Sequence, residues 1–186
     1  MTVLHGSGVV LRPFRSEEFE LFWKASERWI ELTDPDADRE AARKQVRQRV
    51  AMSGAFTPEG IEFAIETEGR LAGRIQARTN ATVMPPTTLE IGVELFDEVD
   101  RGRRLGPEAI RLLTAHLFEL REAHRVQLTT GLDNAAMRRV AERLGFAFEG
   151  VMRGSMPTPD GFTDQALYAI TRPDYEKVKA TWISTS

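Results

Sequence analysis

The sequence predicts a mixed α/β fold in a single domain spanning residues 1–186, and three observations carry that prediction. First, stretches of hydrophobic period two (61–65, 71–78, 89–95, 126–130) are interspersed with stretches of helical period (19–30, 107–121). Second, residues 89–95, 107–121 and 126–130 read as strand, helix, strand, a crossover that sets its two strands parallel. Third, 186 residues with 41% hydrophobic and 28% charged content make a globular chain with one substantial core.

The elements follow in order. Val9 and Leu11 lie on a first strand that ends at Pro13. Ser16 is placed as the N-cap of a helix in which Glu17 and Glu18 suit the positive end of the dipole, with Phe19, Phe22, Trp23, Ser26 and Ile30 at helical spacing. Asp34-Pro35-Asp36 interrupts it, and residues 37–53 form a second helix with Ala42, Val46 and Val50 on one side. Gly54 and Pro58-Glu59-Gly60 mark a loop. Ile61, Phe63 and Ile65 then alternate, Glu68-Gly69 is a hairpin turn, and Leu71 to Arg78 is the returning strand. After a loop at Met84-Pro85-Pro86, Leu89, Ile91, Val93 and Leu95 alternate with Glu90, Gly92 and Glu94.

Pro107 is placed as the first helical residue of 107–121, whose apolar face is Ile110, Leu113, Leu117 and Leu120. Val126, Leu128 and Thr130 form the next strand. Asp133 or Asn134 caps a short helix bearing Met137, Val140, Ala141 and Leu144, which Gly145 stops. Strands at 146–154 and 163–170 are joined by the loop 157–161, and Pro173 starts a last helical turn. Trp182 and Ile183 near the end offer a dimer contact.

Composition excludes several functions. With no cysteine there is no disulfide scaffold, thiolate metal site or thiol nucleophile. Three scattered histidines without matching carboxylates do not make a metal site. A net charge of −3 argues against a direct nucleic-acid partner. No apolar run approaches the roughly 18–20 residues of a membrane span, and residues 1–6 lack the features of a signal peptide. A cytoplasmic protein without a membrane partner is expected.

The informative element is the basic turn Arg101-Gly102-Arg103-Arg104-Leu105-Gly106 between strand and helix. Unpaired amides and the dipole at a helix start make a ready anion site, and three arginines add charge. The alternative is a solvated basic turn. The phosphate loop of nucleoside triphosphatases and the three-glycine dinucleotide fingerprint are both missing.

The order of elements resembles the Gcn5-related N-acetyltransferase (GNAT) fold. Arg101-x-x-Arg104-x-Gly106 resembles that family's (Gln/Arg)-x-x-Gly-x-(Gly/Ala) turn. Val10-Leu11-Arg12-Pro13, Glu90-Ile91-Gly92, Gly106-Pro107-Glu108-Ala109, Asn134, Leu144-Gly145-Phe146 and Glu149-Gly150 are similar to the RimJ/RimL-type branch, which acts on ribosomal-protein N-termini and small molecules. The resemblance covers residues 8–172. It implies a mostly antiparallel sheet with helices on both faces, whose central parallel pair is splayed to hold acyl-CoA. It further implies that the backbone near Val93 and Leu95 binds the pantetheine arm, and that Arg101, Gly102, Arg103, Arg104, Leu105 and Gly106 cradle the pyrophosphate. Asn134 would contact the pantetheine or fix the splay. The acceptor would enter beside 16–30, 37–53 and 155–162.

Two residues depart from the family pattern. Arg104 replaces the central glycine, so its side chain points away or meets phosphate itself. Met137 stands where many members of the branch carry a serine proton donor; it is assigned to the core or the acyl pocket.

The implied activity is N-acyl transfer from acetyl-CoA, or another acyl-CoA, to a primary amine on a peptide N-terminus or a small molecule. A succinyl donor, its carboxylate met by Arg12 or Arg153, is one alternative, and a non-catalytic CoA-binding or regulatory protein is another. Without cysteine there is no cysteine acyl-enzyme, which favours direct attack in a ternary complex. The leaving thiol has a pKa of about 8.5 and needs little acid, whereas an attacking amine of pKa about 8–10 must lose a proton. Glu90 and Glu94, flanking Gly92 on one strand face, are the candidate bases; the alternative is two solvated carboxylates. Tyr168, in an Asp164-x-x-x-Tyr168 pattern similar to the branch, is a candidate proton donor or pocket residue, with a packed tyrosine as the alternative.

Overall fold

The computed structural model describes residues 1–79 and 87–183, so the expected loop at Met84-Pro85-Pro86 lies outside the described residues. The order is β1 (Leu4–His5), β2 (Val10–Arg12), α1 (Phe19–Thr33), α2 (Arg39–Met52), β3 (Gly60–Thr67), β4 (Arg70–Thr79), β5 (Thr88–Leu95), α3 (Leu105–Leu120), β6 (Arg125–Gly131), α4 (Ala135–Arg143), β7 (Ala147–Thr158), β8 (Gly161–Thr171) and α5 (Arg172–Ile183). The strands form one eight-stranded sheet in the order β1-β2-β3-β4-β5-β6-β8-β7. Every pairing is antiparallel except β5 with β6, as the crossover between them requires.

Helices cover both faces, over a large apolar surface on one side and a smaller apolar patch on the other. On one face α3, α4 and α5 pack over Leu89, Ile91, Val126, Leu128 and Ile170. On the other, α1 and α2 close over Ala64 with Phe19, Phe22, Trp23, Val46 and Val50. The β3–β4 hairpin turns on Glu68 and Gly69, both at positive φ (51° and 77°), the geometry that matches the twist of a two-residue hairpin. No described helix is long and apolar enough to cross a membrane.

Several boundaries differ from the sequence reading. Ser16 does not cap α1. It lies in a 3-10 turn (16–18), and the Glu18 carboxylate accepts from the Arg15 amide at 2.8 Å while clamped by Arg12. Helix α3 starts at Leu105, not Pro107, because Arg104 adopts the left-handed conformation (φ 64°, ψ 9°) and turns the chain into the helix early. Pro107 is tolerated at the third helical position, where an N–H would have no intrahelical partner. The final helical turn is a helix of 12 residues. It is held by aromatic anchors rather than a long apolar stripe: Tyr175 stacks on Phe118 at 4.7 Å and Trp182 packs edge-on against Tyr175 at 5.4 Å. Trp182 is therefore buried in the core and unavailable for a dimer contact. β7 and β8 run to Thr158 and from Gly161, which shortens the expected loop 157–161 to Pro159-Asp160.

Candidate active site

The sheet opens at its centre. β5 and β6 pair only over Thr88–Glu90 with Arg125–Gln127. Beyond that, Ile91–Leu95 stays paired with β4 and Leu128–Gly131 with β8, but not with each other. The facing inner edges therefore carry backbone donors and acceptors without sheet partners. An extended ligand with amide groups can satisfy them as an intervening strand would.

The turn 98–106 stands at the end of β5. Its anchor is Asp100, fully buried, whose carboxylate accepts from Arg70 at 2.8 and 2.5 Å and from Arg103 at 3.3 Å. The Arg70 hydrogen bond, helped by the charges of Arg70 and Arg103, holds that carboxyl below its ordinary range. Gly102 (φ 77°) and Arg104 take left-handed conformations, and Leu105 is buried beneath them. The first intrahelical bond runs from Glu108 N–H to the Arg104 carbonyl. Pro107 has no N–H, so Leu105 and Gly106 are the helix amides at this end without an acceptor among the described residues. The three arginines contribute less free charge than the sequence implies. Arg101 pairs with Glu98 at 3.0 Å, and Arg103 with Glu68 at 2.7 Å and with Asp100. Arg104 alone of the three has no ion pair among the described residues.

On the α1–α2 face the splay adjoins a cleft of about 1140 Å³. Its floor is the polar face of β3, β4 and β5, its walls are α1 and α2, and Met156 and Pro159 of the β7–β8 tip reach its rim. Gly92 leaves the floor open; a Cβ there would lie 3.3 Å from the Gln76 amide nitrogen. The strand register sets Arg74 opposite Glu94, Gln76 opposite Gly92 and Arg78 opposite Glu90. Arg74 Nε donates to Glu94 Oε2 at 2.9 Å and its Nη1 to Ser26 at 3.1 Å. Glu90 accepts from Arg78 at 3.1 Å on one oxygen and from Gln127 at 3.0 Å on the other. Both Glu90 oxygens are thus engaged, at the closed end of the splay. Glu94 lies on the diverging segment and keeps Oε1 without a partner among the described residues.

The structure adds a third carboxylate, Glu62 of β3, buried at the cleft floor and accepting from Arg49 Nη2 at 2.9 and 3.1 Å. Burial pushes its carboxyl up, against the pull of Arg49, Arg74 and Arg78. The sequence held a signal for it: one charged residue in the otherwise apolar run Ile61–Ile65.

The other candidate residues fall elsewhere. Val93 and Leu95 turn their side chains toward α3, leaving their backbone on the inner edge of β5. Asn134 caps α4, its side-chain oxygen accepting from the Met137 amide at 3.1 Å. Met137 is half-buried against the main core. Tyr168 is not brought to the carboxylates. Strand parity places it on the opposite face, across from Leu128. There it is fully buried, its hydroxyl donating to Glu142 at 3.0 Å and accepting from Arg138 at 3.2 Å. Arg12 is also fully committed, to Glu18, Glu66 and the Pro13 carbonyl, and cannot meet a succinyl carboxylate.

Comparison with known proteins identifies the family and the fold. Residues 9–147 match the family model described as an acetyltransferase (GNAT) domain. A Bacillus subtilis (strain 168) protein assigned as a ribosomal N-acetyltransferase, YdaF, is 29% identical over 120 residues, covering 64% of each chain. The assigned N-acetyltransferase YjcK of the same organism is 30% identical over 82 residues, 44% of this chain and 45% of that one. The chain thus matches 45% and 64% of the lengths of these two curated relatives. In fold, the structure of RimL, a ribosomal L7/L12 alpha-N-protein acetyltransferase in complex with coenzyme A, superposes with a TM-score of 0.72. That alignment covers 91% of this chain and 98% of RimL at 20% identity.

Proposed function

The chain belongs to the GNAT acetyltransferase family, and from that premise we propose that it acts as a single domain that moves an acetyl group from acetyl-CoA directly onto a primary amine. The observation that carries this reading is the three-residue pairing of β5 with β6, which opens an unpaired backbone edge directly beside a cleft floored with carboxylates. Acetyl-CoA supplies an acyl carbonyl activated as a thioester. The inner edge of β5 near Val93 and Leu95 binds the pantetheine arm. The Leu105 and Gly106 amides, with Arg104 beside them, take the pyrophosphate, and Arg101 and Arg103 exchange carboxylate partners for phosphate. That exchange is inexpensive for the exposed pairs with Glu98 and Glu68, which contribute only about 0–1 kcal/mol each, and buried Asp100 keeps Arg70 as its partner.

Glu94 is the base. Its free Oε1 faces the cleft on the diverging part of β5, while Glu90 is held by two partners. As the amine nitrogen bonds to the carbonyl carbon and the carbon–sulfur bond breaks, Glu94 takes the ammonium proton, directly or through water. General-base help of this kind is worth roughly 10²–10⁴-fold. The thiolate that leaves is a weak base, so Met137 in place of a hydroxyl donor removes little. The test is thiol release from acetyl-CoA against a panel of primary amines, alongside the melting temperature with CoA. Release with at least one amine supports transfer. Stabilisation by CoA without release from any amine makes the protein a binding module, and no response to CoA overturns both.

A further inference from the structure

The cleft holds more open hydrogen-bond donors than acceptors once its internal pairs are counted. Arg49, whose guanidinium lies over the Phe22 ring, commits one nitrogen, Nη2, to both Glu62 oxygens and to Gln76; its Nε and Nη1 have no hydrogen-bond partner among the described residues. Among the described residues Arg78 likewise commits only Nη2, to Glu90. Both guanidinium groups line the cleft and are about half exposed, 45% and 55%. Arg28 of α1 lines it as well, without an ion pair among the described residues. On the acceptor side, both Glu62 oxygens are engaged, Glu94 contributes one open oxygen and Glu59, at the mouth of the cleft, accepts from Thr57 Oγ1 at 2.7 Å; both oxygens of Glu90, beside the cleft, are engaged.

A guanidinium fork with free nitrogens is the natural partner of a carboxylate. One open carboxylate oxygen is enough for one ammonium. A polyamine would bring several positive charges to a cleft lined by Arg28, Arg49, Arg74 and Arg78 against Glu59, Glu62 and Glu94, and like charges there repel. We propose that the acceptor is a primary amine bearing a carboxylate of its own, an amino acid or an acidic peptide N-terminus, with the carboxylate held by Arg49 and Arg78 and the amine by Glu94. This deepens the acetyltransferase reading and rests on it. Arg49 and Arg78 both lie at Gln76, one bonded to its side chain at 3.2 Å and the other two residues along β4, so a single carboxylate can face both. Trp29, Met52 and Met156 give the cleft an apolar rim for the rest of the molecule.

Matched acceptors test the proposal. Thiol release from acetyl-CoA is measured with phenylalanine against phenethylamine, with a C-terminally amidated tripeptide beginning with two acidic residues against an amidated one beginning with two lysines, and with spermidine. The acid-bearing member of each pair is expected to lead in kcat/KM by roughly 10–100-fold, the weight of a charge-assisted contact. The pair showing the larger preference tells amino acid from peptide. Arg78→Gln, and separately Arg49→Gln, should shrink that preference about tenfold, with the melting temperature reporting that each variant folds. Equal or better turnover of phenethylamine, the lysine peptide or spermidine overturns the proposal, as does a preference that survives both substitutions. If no amine releases thiol, the transfer reading fails by itself. The acceptor class is then read from melting temperature with CoA present: stabilisation by phenylalanine over phenethylamine, lost in Arg78→Gln, retains it, and no selectivity sinks it.

Discussion

Strand β5 has two faces that divide the labour of the molecule. Leu89 and Ile91 are buried against α3, with Val93 and Leu95 partly buried beside them. Glu90, Gly92 and Glu94, alternating with them, point to a cleft in which arginines and carboxylates pair across strands. The first face is dense, apolar and contiguous with the largest core; the second is open and polar. A close-packed backing resists displacement, so the edge between the faces, where the backbone diverges from β6, is held in place without β6. Charge on the cleft face is then free to serve a ligand rather than the fold.

Substitutions on each face should separate these roles. The largest effect is expected on the cleft side. Glu94→Gln keeps the shape and the Arg74 contact but removes the proposed base, so kcat/KM should fall roughly 10²–10⁴-fold with a melting temperature within a few degrees of the parent. A similar loss in Glu90→Gln, with Glu94→Gln active, would transfer the role to Glu90. On the core side the expectation reverses. Leu113 of α3 is fully buried, and Leu113→Ala should lower stability by about 2–5 kcal/mol, read by urea denaturation, with activity per folded molecule retained. Loss of activity in a fully folded Leu113→Ala protein would show that the two faces are coupled.

The turn lies between the faces, and a smaller effect is expected there. Left-handed backbone at Arg104 costs a non-glycine residue about 1 kcal/mol, so Arg104→Gly should raise the melting temperature by about 2–4 °C. If the side chain also meets phosphate, the same variant should bind CoA more weakly by calorimetry, a split in sign that a purely structural residue would not produce. The smallest effect is expected on the pH axis. His116 of α3 is buried, neither ring nitrogen has a hydrogen-bond partner among the described residues, and burial followed by Arg121 holds its pKa below the ordinary 6.5. The unfolded chain therefore binds the proton first, so stability should fall as pH drops below 6.5, by at most about 1.4 kcal/mol per unit. Urea midpoints at pH 5.5 and 7.5 should differ less in His116→Leu than in the parent.

Much of the architecture was legible because it is local. The alternation in 89–95 placed Glu90, Gly92 and Glu94 on one face, the spacing of Ile110, Leu113 and Leu117 defined α3, and Glu68-Gly69 announced its turn. Features decided by distant partners were not. A hydroxyl at Ser16 suits a cap, but the N-cap position of α1 falls at Glu18, whose carboxylate is tied to Arg12 and the Arg15 amide. Helix α5 was underestimated because its stability comes from Phe118 and Glu119 of α3: Tyr175 stacks on the first and donates to the second at 2.6 Å. Tyr168 was a candidate donor until its strand partner set its face. The site divided in the same way. Candidate bases on β5 could be named from one strand, whereas Glu62, Arg49 and Arg78 join the cleft through pairings between separate elements.

By itself, then, the sequence determined the periodicities, the crossover that makes β5 and β6 parallel, the glycine-containing turn before α3 and the absence of a cysteine nucleophile. These depend on residue type and on spacing within a few turns of chain. Only the tertiary structure decided how far β5 and β6 remain paired, which arginines keep open donors and which carboxylate keeps an open oxygen. The reason is physical: a hydrogen-bonding group is free or engaged according to what the fold brings within about 3 Å of it, and that is a property of the packed chain.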